Sequence, residues 1–312
     1  MYIATAMSSE SAFIESLRAL ATHPAARGLA DDAAVLDIGG RTLVLTHDML
    51  VEGVHYRPDD PPGDVAWKLL AVNLSDLAAK GARPVGVLLG YSLRDEAWDR
   101  AFVAGLGTAL AAFAIPLLGG DTVRGPGART LALTALGEAE GPVPSRSGGR
   151  AGDRLWVSGT IGDAGAGLRG LGEALVERYR NPRPRLEAGL RLAPLVHAMM
   201  DVSDGLLIDC ARLAAASGVA ARIDLSRIPL SLDFAAALGD GREARLDAAT
   251  AGDDYELLFA APAARTGAIL RLQEEIGLPL CPVGELAEGA GLSLADAGES
   301  VPLPTRLGWE HN

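Results

Sequence analysis

Between Trp67 and Pro84 the chain reads WKLLAVNLSDLAAKGARP, with apolar residues at Trp67, Leu70, Ala71, Leu74, Leu77 and Ala78. This i, i+3, i+4, i+7 spacing is that of one helical face, and Leu69 and Val72 widen it to the stripe of a mostly buried helix. Asn73, Asp76 and Lys80 nevertheless line up i, i+3 and i+7 as a polar stripe on the same helix. A buried carboxylate needs a partner. For Asp76 the sequence offers two, namely Lys80 one turn on or a metal ion.

The same reading organises the rest of the first half. AAVLDI and TLVLTHD are apolar runs joined across Gly39-Gly40, a hairpin signal. Asp64 opens the helix already described, VGVLLGYSL supplies a third strand, and Asp95 caps a long helix reaching Ala114. PLLGGD and TLALTALGEA follow as strands, so the order β-β-α-β-α-β-β predicts an α+β domain with helices on one face of a sheet. VGVLLGYSL and TLALTALGEA are long and apolar; as exposed edges they would pair across a two-fold axis, which predicts a homodimer through the N-terminal domains.

Gly141–Asp153, GPVPSRSGGRAGD, is dense in Gly, Pro and Ser and reads as a linker. Two domains are expected, 1–145 and 146–312. In the second, RLWVSG is a strand and GDAGAGLRGLGEALVERY a single helix entered through glycines. NPRPR breaks the chain, SDGLLIDCARLAAASG is a helix with a serine-aspartate start and glycine stop, and YELLFAAP is a buried strand. The whole is α/β in class. The only internal echo is Asn73-Leu-Ser-Asp76 with Asp201-Val-Ser-Asp204.

Composition narrows the possibilities. At 312 residues and 49% hydrophobic, the chain can bury one large or two ordinary cores. No run approaches the ~18 apolar residues of a membrane span. The start, MYIATAMSSESAFIESLRAL, has no basic segment before an apolar block, so it reads as an amphipathic helix, with Met7 a possible alternative initiator. Cys210 and Cys281 show no metal or CxxC spacing, which suits a reducing cytoplasm. A net charge of −12 argues against nucleic acid as the main partner. Only two of the 28 basic residues are lysines, Lys68 and Lys80, and neither follows a glycine loop, so a Walker A loop is absent. Gly165–Gly170, GAGLRG, matches G-x-G-x-x-G, but Gly165 stands seven positions past Ser158, near the end of the preceding strand, and Gly170 falls inside the expected helix. G-x-S-x-G is absent, which removes the usual serine-hydrolase signal.

The informative carboxylates border apolar elements: Asp31-Asp32, Asp48, Asp76, Asp121, Asp201, Asp204 and Asp253-Asp254. Singly, each has an ordinary role open to it, such as a helix cap for Asp204 or Asp48 and an Asx turn for Asp121. Together, in an already acidic protein, they would repel one another unless a cation intervened. Ligands that are all oxygen favour a hard ion such as Mg²⁺, which binds through one or two carboxylates plus substrate phosphates. Many single aspartates therefore suggest several ions shared with a polyphosphate, a way to bind ATP without a P-loop.

GLADDAAVL, LTHDMLVEGVHY, AVNLSDLAAKGARP, LLGGDTVRGP, SGTIGDAGAGL, DVSDGLLID and AGDDYELLF stand in the order and approximate spacing of the thiamine-monophosphate kinase family, and from Gly28 to Phe259 the chain resembles it. The wider superfamily includes aminoimidazole ribonucleotide synthetase, selenophosphate synthetase and a hydrogenase maturation factor. The resemblance implies a two-domain ATP-binding fold, transfer of the ATP γ-phosphoryl group to thiamine monophosphate, and a homodimer using several Mg²⁺ ions. Carried over residue by residue, it implies metal ligands at Asp32, Thr46, Asp48, Asp76, Asp121, Asp201 and Asp204. It further implies nucleotide contacts at Gly120, Asp121, Arg146 and Ser203, and acceptor contacts at His55, Asp253 and Trp309. Three positions depart from the family: Ala30 and Ala251 where glycine is usual, and His47 where a small hydroxyl residue is common.

The chemistry implied needs no general base or nucleophile. A phosphate monoester has a second pKa of about 6, so its acceptor oxygen is already mostly deprotonated at neutral pH. Alignment and charge neutralisation suffice, which predicts direct in-line transfer. Two other readings stay open on sequence: a sister enzyme of the superfamily acting on another acceptor, and a non-catalytic nucleotide-binding maturation partner.

Overall fold

The structure, a computed structural model, describes residues 9–310. The first helix, α1, spans Ser9–Arg18; the question of Met7 lies outside the described residues. The hairpin forms as expected, β1 (Ala34–Ile38) pairing with β2 (Arg41–Val51) around Gly39-Gly40. Then follow α2 (Pro62–Ala79), β3 (Arg83–Leu93), α3 (Glu96–Phe113), β4 (Leu117–Arg124) and β5 (Thr130–Ala139). Asp95 caps α3 by accepting from the Trp98 N–H at 2.8 Å.

These strands make a five-stranded sheet in the order β1-β2-β5-β3-β4. This corrects the expected edges. The sequences VGVLLGYSL and TLALTALGEA are the interior strands β3 and β5, and the edges are β1 and β4. β5 alternates strictly between half-buried and buried residues. Its Leu131, Leu133 and Ala135 share a core with Leu69, Leu70, Leu74 and Leu77 of α2 and Phe102 of α3. Each of those α2 leucines is fully buried, worth roughly 2 kcal/mol apiece by apolar transfer. The opposite face has no such cover. Met49, Val85, Leu88, Leu118 and Val123 are 40–57% exposed, and every residue of β4 is exposed.

The second half runs β6 (Asp153–Ser158), α4 (Asp163–Leu168), α5 (Glu173–Arg180), α6 (Leu186–Leu192), β7 (Ala198–Val202), α7 (Leu206–Ser217) and β8 (Ala220–Asp224). It continues with α8 (Leu232–Leu238), α9 (Arg242–Thr250), β9 (Glu256–Pro262), α10 (Thr266–Ile276), β10 (Leu280–Ala287), β11 (Gly291–Asp296) and β12 (Glu299–Val301). The sheet order is β12-β11-β8-β10-β6-β9-β7. Helices cover both faces, so beyond Glu256 β9 is apolar: Leu258 and Ala260 join the core with α7, while Leu257, Phe259 and Ala261 join the one with α6 and α10.

Two expectations change here. The single glycine-entered helix is two, α4 and α5, because Gly170 (φ +76°) and Gly172 (φ +120°) turn the chain between them. The glycines of GAGLRG serve packing: a Cβ on Gly165 would stand 2.4 Å from that of Ala251, and one on Gly167 would stand 2.0 Å from the Leu175 carbonyl. Nor does the Gly141–Asp153 connection hang loose. Arg27 donates to the Pro144 carbonyl, the Ser217 hydroxyl to the Arg146 carbonyl, and Ser145 accepts from the Met199 N–H. Among the described residues no helix is long and apolar enough to cross a membrane.

Candidate active site

Helix α2 lies between the two sheets, against β2 and β5 on one side and β7 on the other. Its polar stripe therefore meets strand ends from both halves. On β2 the period of two puts Thr46 and Asp48 on the face of Val44 and Leu50, toward α2. The Thr46 hydroxyl donates to the Asp76 carboxylate, and Asn73 accepts from the Asp48 N–H at 3.1 Å. From the other side β7 brings Asp201. One carboxylate oxygen each of Asp32, Asp76 and Asp201 lies within 4.8 Å of the others. The set offers oxygen alone, which fits a hard divalent cation.

Electrostatics points the same way. Burial, followed by the charges of Asp48, Asp201 and Asp32, pushes the Asp76 carboxyl well above the usual range. Burial and then Asp32 push Asp201 up to about 8. Burial with Asp32 and Asp204 pushes Asp48 up to about 6. These carboxylates need a counter-cation to remain charged together.

The expected local partner does not serve Asp76. Helix α2 ends at Ala79, and Lys80 leaves the helical trace at φ −101°, ψ 2°. Its ammonium donates to Asp31 Oδ1 at 2.5 Å and to the Met199 carbonyl at 3.2 Å, and lies 2.6 Å from Asp32 Oδ2 as an ion pair. Burial opposes the charge of Asp31, but Lys80 and Arg27 hold its carboxyl at about 2. Arg146 also binds Asp32, its Nε 2.6 Å from Oδ1.

One cleft of about 710 Å³ joins these groups to the other candidates. Asp32, Asp48, Asp76, Asp201 and Asp204 line it with Arg146 and Ser203, and Val54, His55, Leu168, Asp253 and Trp309 line it too. Thr46 sits behind Asp76. Gly120 and Asp121 are not among the described residues that line the cleft: both lie on the exposed strand β4, where the Asp121 carboxylate accepts from the Thr122 N–H. The C-terminal tail comes over the cleft because Gly308 passes α7 closely. A Cβ there would stand 2.4 Å from Ile208 Cγ2, and the next N–H, of Trp309, donates to the Asp204 carbonyl at 2.9 Å.

Some participants were not foreseen. The expected Ser-Asp cap of α7 is replaced by Asp209, which accepts from the N–H groups of Ser203, Asp204 and Gly205 at 3.0–3.2 Å. Burial pushes Asp209 up to about 6 against the opposing charge of Arg212, and Arg212 binds both it and Asp204. The signal was there, an acid in the first helical turn with an arginine three residues on. Lys68 is 2% exposed, with its Nζ 2.9 Å from Asp253 Oδ2. Asp254 turns away from the cleft and accepts from the Gly162 N–H at the start of α4.

The departures leave this geometry intact. Ala30 (φ −120°) and Ala251 (φ −82°) have conformations open to any residue. His47 lies on the exposed face of the first sheet, Nδ1 2.8 Å from Thr134 Oγ1.

Residues 30–139 match the family model of the AIR synthase related protein N-terminal domain, and residues 150–297 that of its C-terminal domain. A thiamine-monophosphate kinase of Caulobacter vibrioides is 44% identical over 305 residues, covering 92% of this chain and 86% of the relative. The crystal structure of thiamine-monophosphate kinase from Stenotrophomonas maltophilia is 40% identical with a TM-score of 0.77, covering 93% of this chain and 96% of that one. A structure of AaThiL complexed with AMPPCP and TMP is 28% identical with a TM-score of 0.83, covering 98% and 99%. With the fold, the acidic cluster and relatives at this identity in agreement over nearly the whole length, the chain belongs to the thiamine-monophosphate kinase family.

Proposed function

We propose that this protein phosphorylates thiamine monophosphate to thiamine diphosphate with ATP. The observation that carries the reading is one cleft lined both by a cluster of buried carboxylates and by apolar and aromatic side chains. The first suits a polyphosphate with its cations, the second a flat, positively charged acceptor. AaThiL bound to AMPPCP and TMP, a relative alike over the full chain, supports the pairing of these two ligands.

Asp32, Thr46, Asp48, Asp76, Asp201 and Asp204, with Asp121, would hold several Mg²⁺ ions. Bound there, Mg²⁺ supplies positive charge to the β- and γ-phosphates. Arg146 and Ser203, with Gly120 and Asp121, are the nucleotide contacts in this reading. Arg146 can exchange its hold on Asp32 for a phosphate oxygen. For the acceptor, Trp309 would offer a ring face with His55 and Asp253 as further contacts, and Val54 and Leu168 would add apolar surface. The acceptor phosphate brings its own anionic oxygen, so the residues need only align two phosphates for in-line transfer without a covalent enzyme intermediate.

A homodimer belongs to the same proposal. Asp121 stands apart from its own cleft, on an edge strand beside an uncovered apolar face. Two-fold pairing through that face would bring β4 of one subunit toward the cleft of the other. Incubation with ATP, Mg²⁺ and thiamine monophosphate, with direct detection of thiamine diphosphate, tests the function; ATP bound but no product formed would refute it.

A further inference from the structure

We propose that Lys68 is the positioning residue of the acceptor site in the cleft. It fixes Asp253, from the second half of the chain, against the His55 segment of the first, and so sets recognition of a cationic acceptor. The inference rests on the proposed function and extends it to a residue outside the cleft lining.

An ammonium has three donors and, when buried, must place all of them. Lys68 does so. Its Nζ lies 2.9 Å from Asp253 Oδ2, 3.0 Å from the His55 carbonyl and 4.1 Å from the centre of the Tyr179 ring. The ring is itself pinned, its hydroxyl donating to Asp60 at 3.0 Å. With carboxylate, carbonyl and π-face all engaged, Lys68 keeps no donor for a substrate. Its action on a ligand must pass through the groups it holds.

Asp253 is a residue that needs holding. Its φ of +71° lies in the left-handed region, and Tyr255 two residues on has φ +51°. Such conformations are unfavourable for a residue with a side chain and persist where surroundings over-determine them. Here the determinants converge on one residue. Lys68 takes Oδ2, the Tyr255 hydroxyl donates to Oδ1 at 3.1 Å, and the Asp253 N–H donates to the Ser203 carbonyl at 2.8 Å. The carboxylate, 29% exposed, keeps lone pairs toward the cleft. Lys68 stands on α2, so the pair also ties the helix that carries Asp76 to the loop that carries Asp253.

The test compares KM values for thiamine monophosphate and ATP, with thermal midpoints recorded alongside. Lys68→Met should raise the acceptor KM roughly tenfold and leave the ATP KM within about twofold. Asp253→Asn should do much the same, and the double variant should be no worse than the weaker single one, because the two act as one unit. A lysine that only supports the fold would lower the midpoint without separating the two KM values. That outcome, or multiplying effects in the double variant, overturns the proposal. Should Lys68→Met fail to fold, Tyr255→Phe loosens the same carboxylate from its other oxygen. A roughly threefold rise in acceptor KM alone then supports the proposal, and no change overturns it. If the unmodified enzyme forms no thiamine diphosphate, the function fails and the acceptor role with it. If it is active and the variants do not separate the KM values, only the Lys68 proposal fails.

Discussion

The ammonium of Lys80 lies 2.6 Å from Oδ2 of Asp32, and neither side chain reaches solvent. Four residues earlier, the Asp76 carboxylate receives nothing from that ammonium and takes its hydrogen bond from Thr46 instead. Two neighbours on one polar stripe thus belong to different assemblies, Lys80 to a fixed internal ion pair and Asp76 to the cluster of buried carboxylates.

Their substitutions should separate accordingly. Asp76→Asn keeps the shape and removes a charge that burial disfavours, so turnover should fall by orders of magnitude while the metal-free thermal midpoint holds or rises. Lys80→Met leaves two buried carboxylates short of a cation and should cost about 3 kcal/mol of stability. Denaturant unfolding and steady-state turnover on both variants check this; equal, mild losses would return Lys80 to Asp76.

A second expectation concerns pH. Asp48, Asp76 and Asp201 all have folded pKa values raised above the unfolded 3.8. The folded state then binds more protons than the unfolded one, so their contribution is fully present below about pH 4 and is lost as pH rises. Metal-free protein should lose stability from these groups through about pH 6, where Asp48 titrates, and on to about pH 8, where Asp201 does. Mg²⁺ requires the deprotonated forms, so its addition should raise the thermal midpoint more at pH 8 than at pH 5. A Mg²⁺ effect that is flat across this range would argue against the cluster as the cation site.

Trp309 is about half exposed over the cleft. Trp309→Ala should raise the KM for thiamine monophosphate roughly 2-fold to 30-fold, the span of a cation–π contact, with the ATP KM nearly unchanged. Both KM values rising together would place the tail elsewhere in the reaction.

Asp121 gives a test of assembly. Asp121→Asn and Asp76→Asn should each be inactive alone. Mixed and allowed to exchange subunits, they should recover about a quarter of the unmodified activity, since half the dimers are hybrid and each hybrid holds one intact site. No recovery would mean that Asp121 serves its own subunit. Leu88→Glu on the uncovered sheet face should shift sedimentation toward monomer.

Local pattern was enough to establish much of this molecule. The hairpin at Gly39-Gly40, the buried helix α2, the Asp95 cap and the buried strand β9 are set by periodicity, turn chemistry and caps within a few residues. Aspartates bordering apolar elements likewise marked where charge would be costly, and most of them line one cleft. What sequence could not assign were partners distant along the chain. Spacing put Lys80 beside Asp76, but the helix ends between them and the lysine reaches Asp31 and Asp32, 49 positions away for Asp31. Lys68 finds Asp253 across 185 positions. VGVLLGYSL and TLALTALGEA have the apolar length of edge or centre alike, and only the order of hydrogen-bonded neighbours made them interior and left β4 outside. Burial and local geometry repeat with the period of a helix or strand and can be read from one chain segment. Ion pairing is decided by which surfaces pack together, and that is a property of the folded whole.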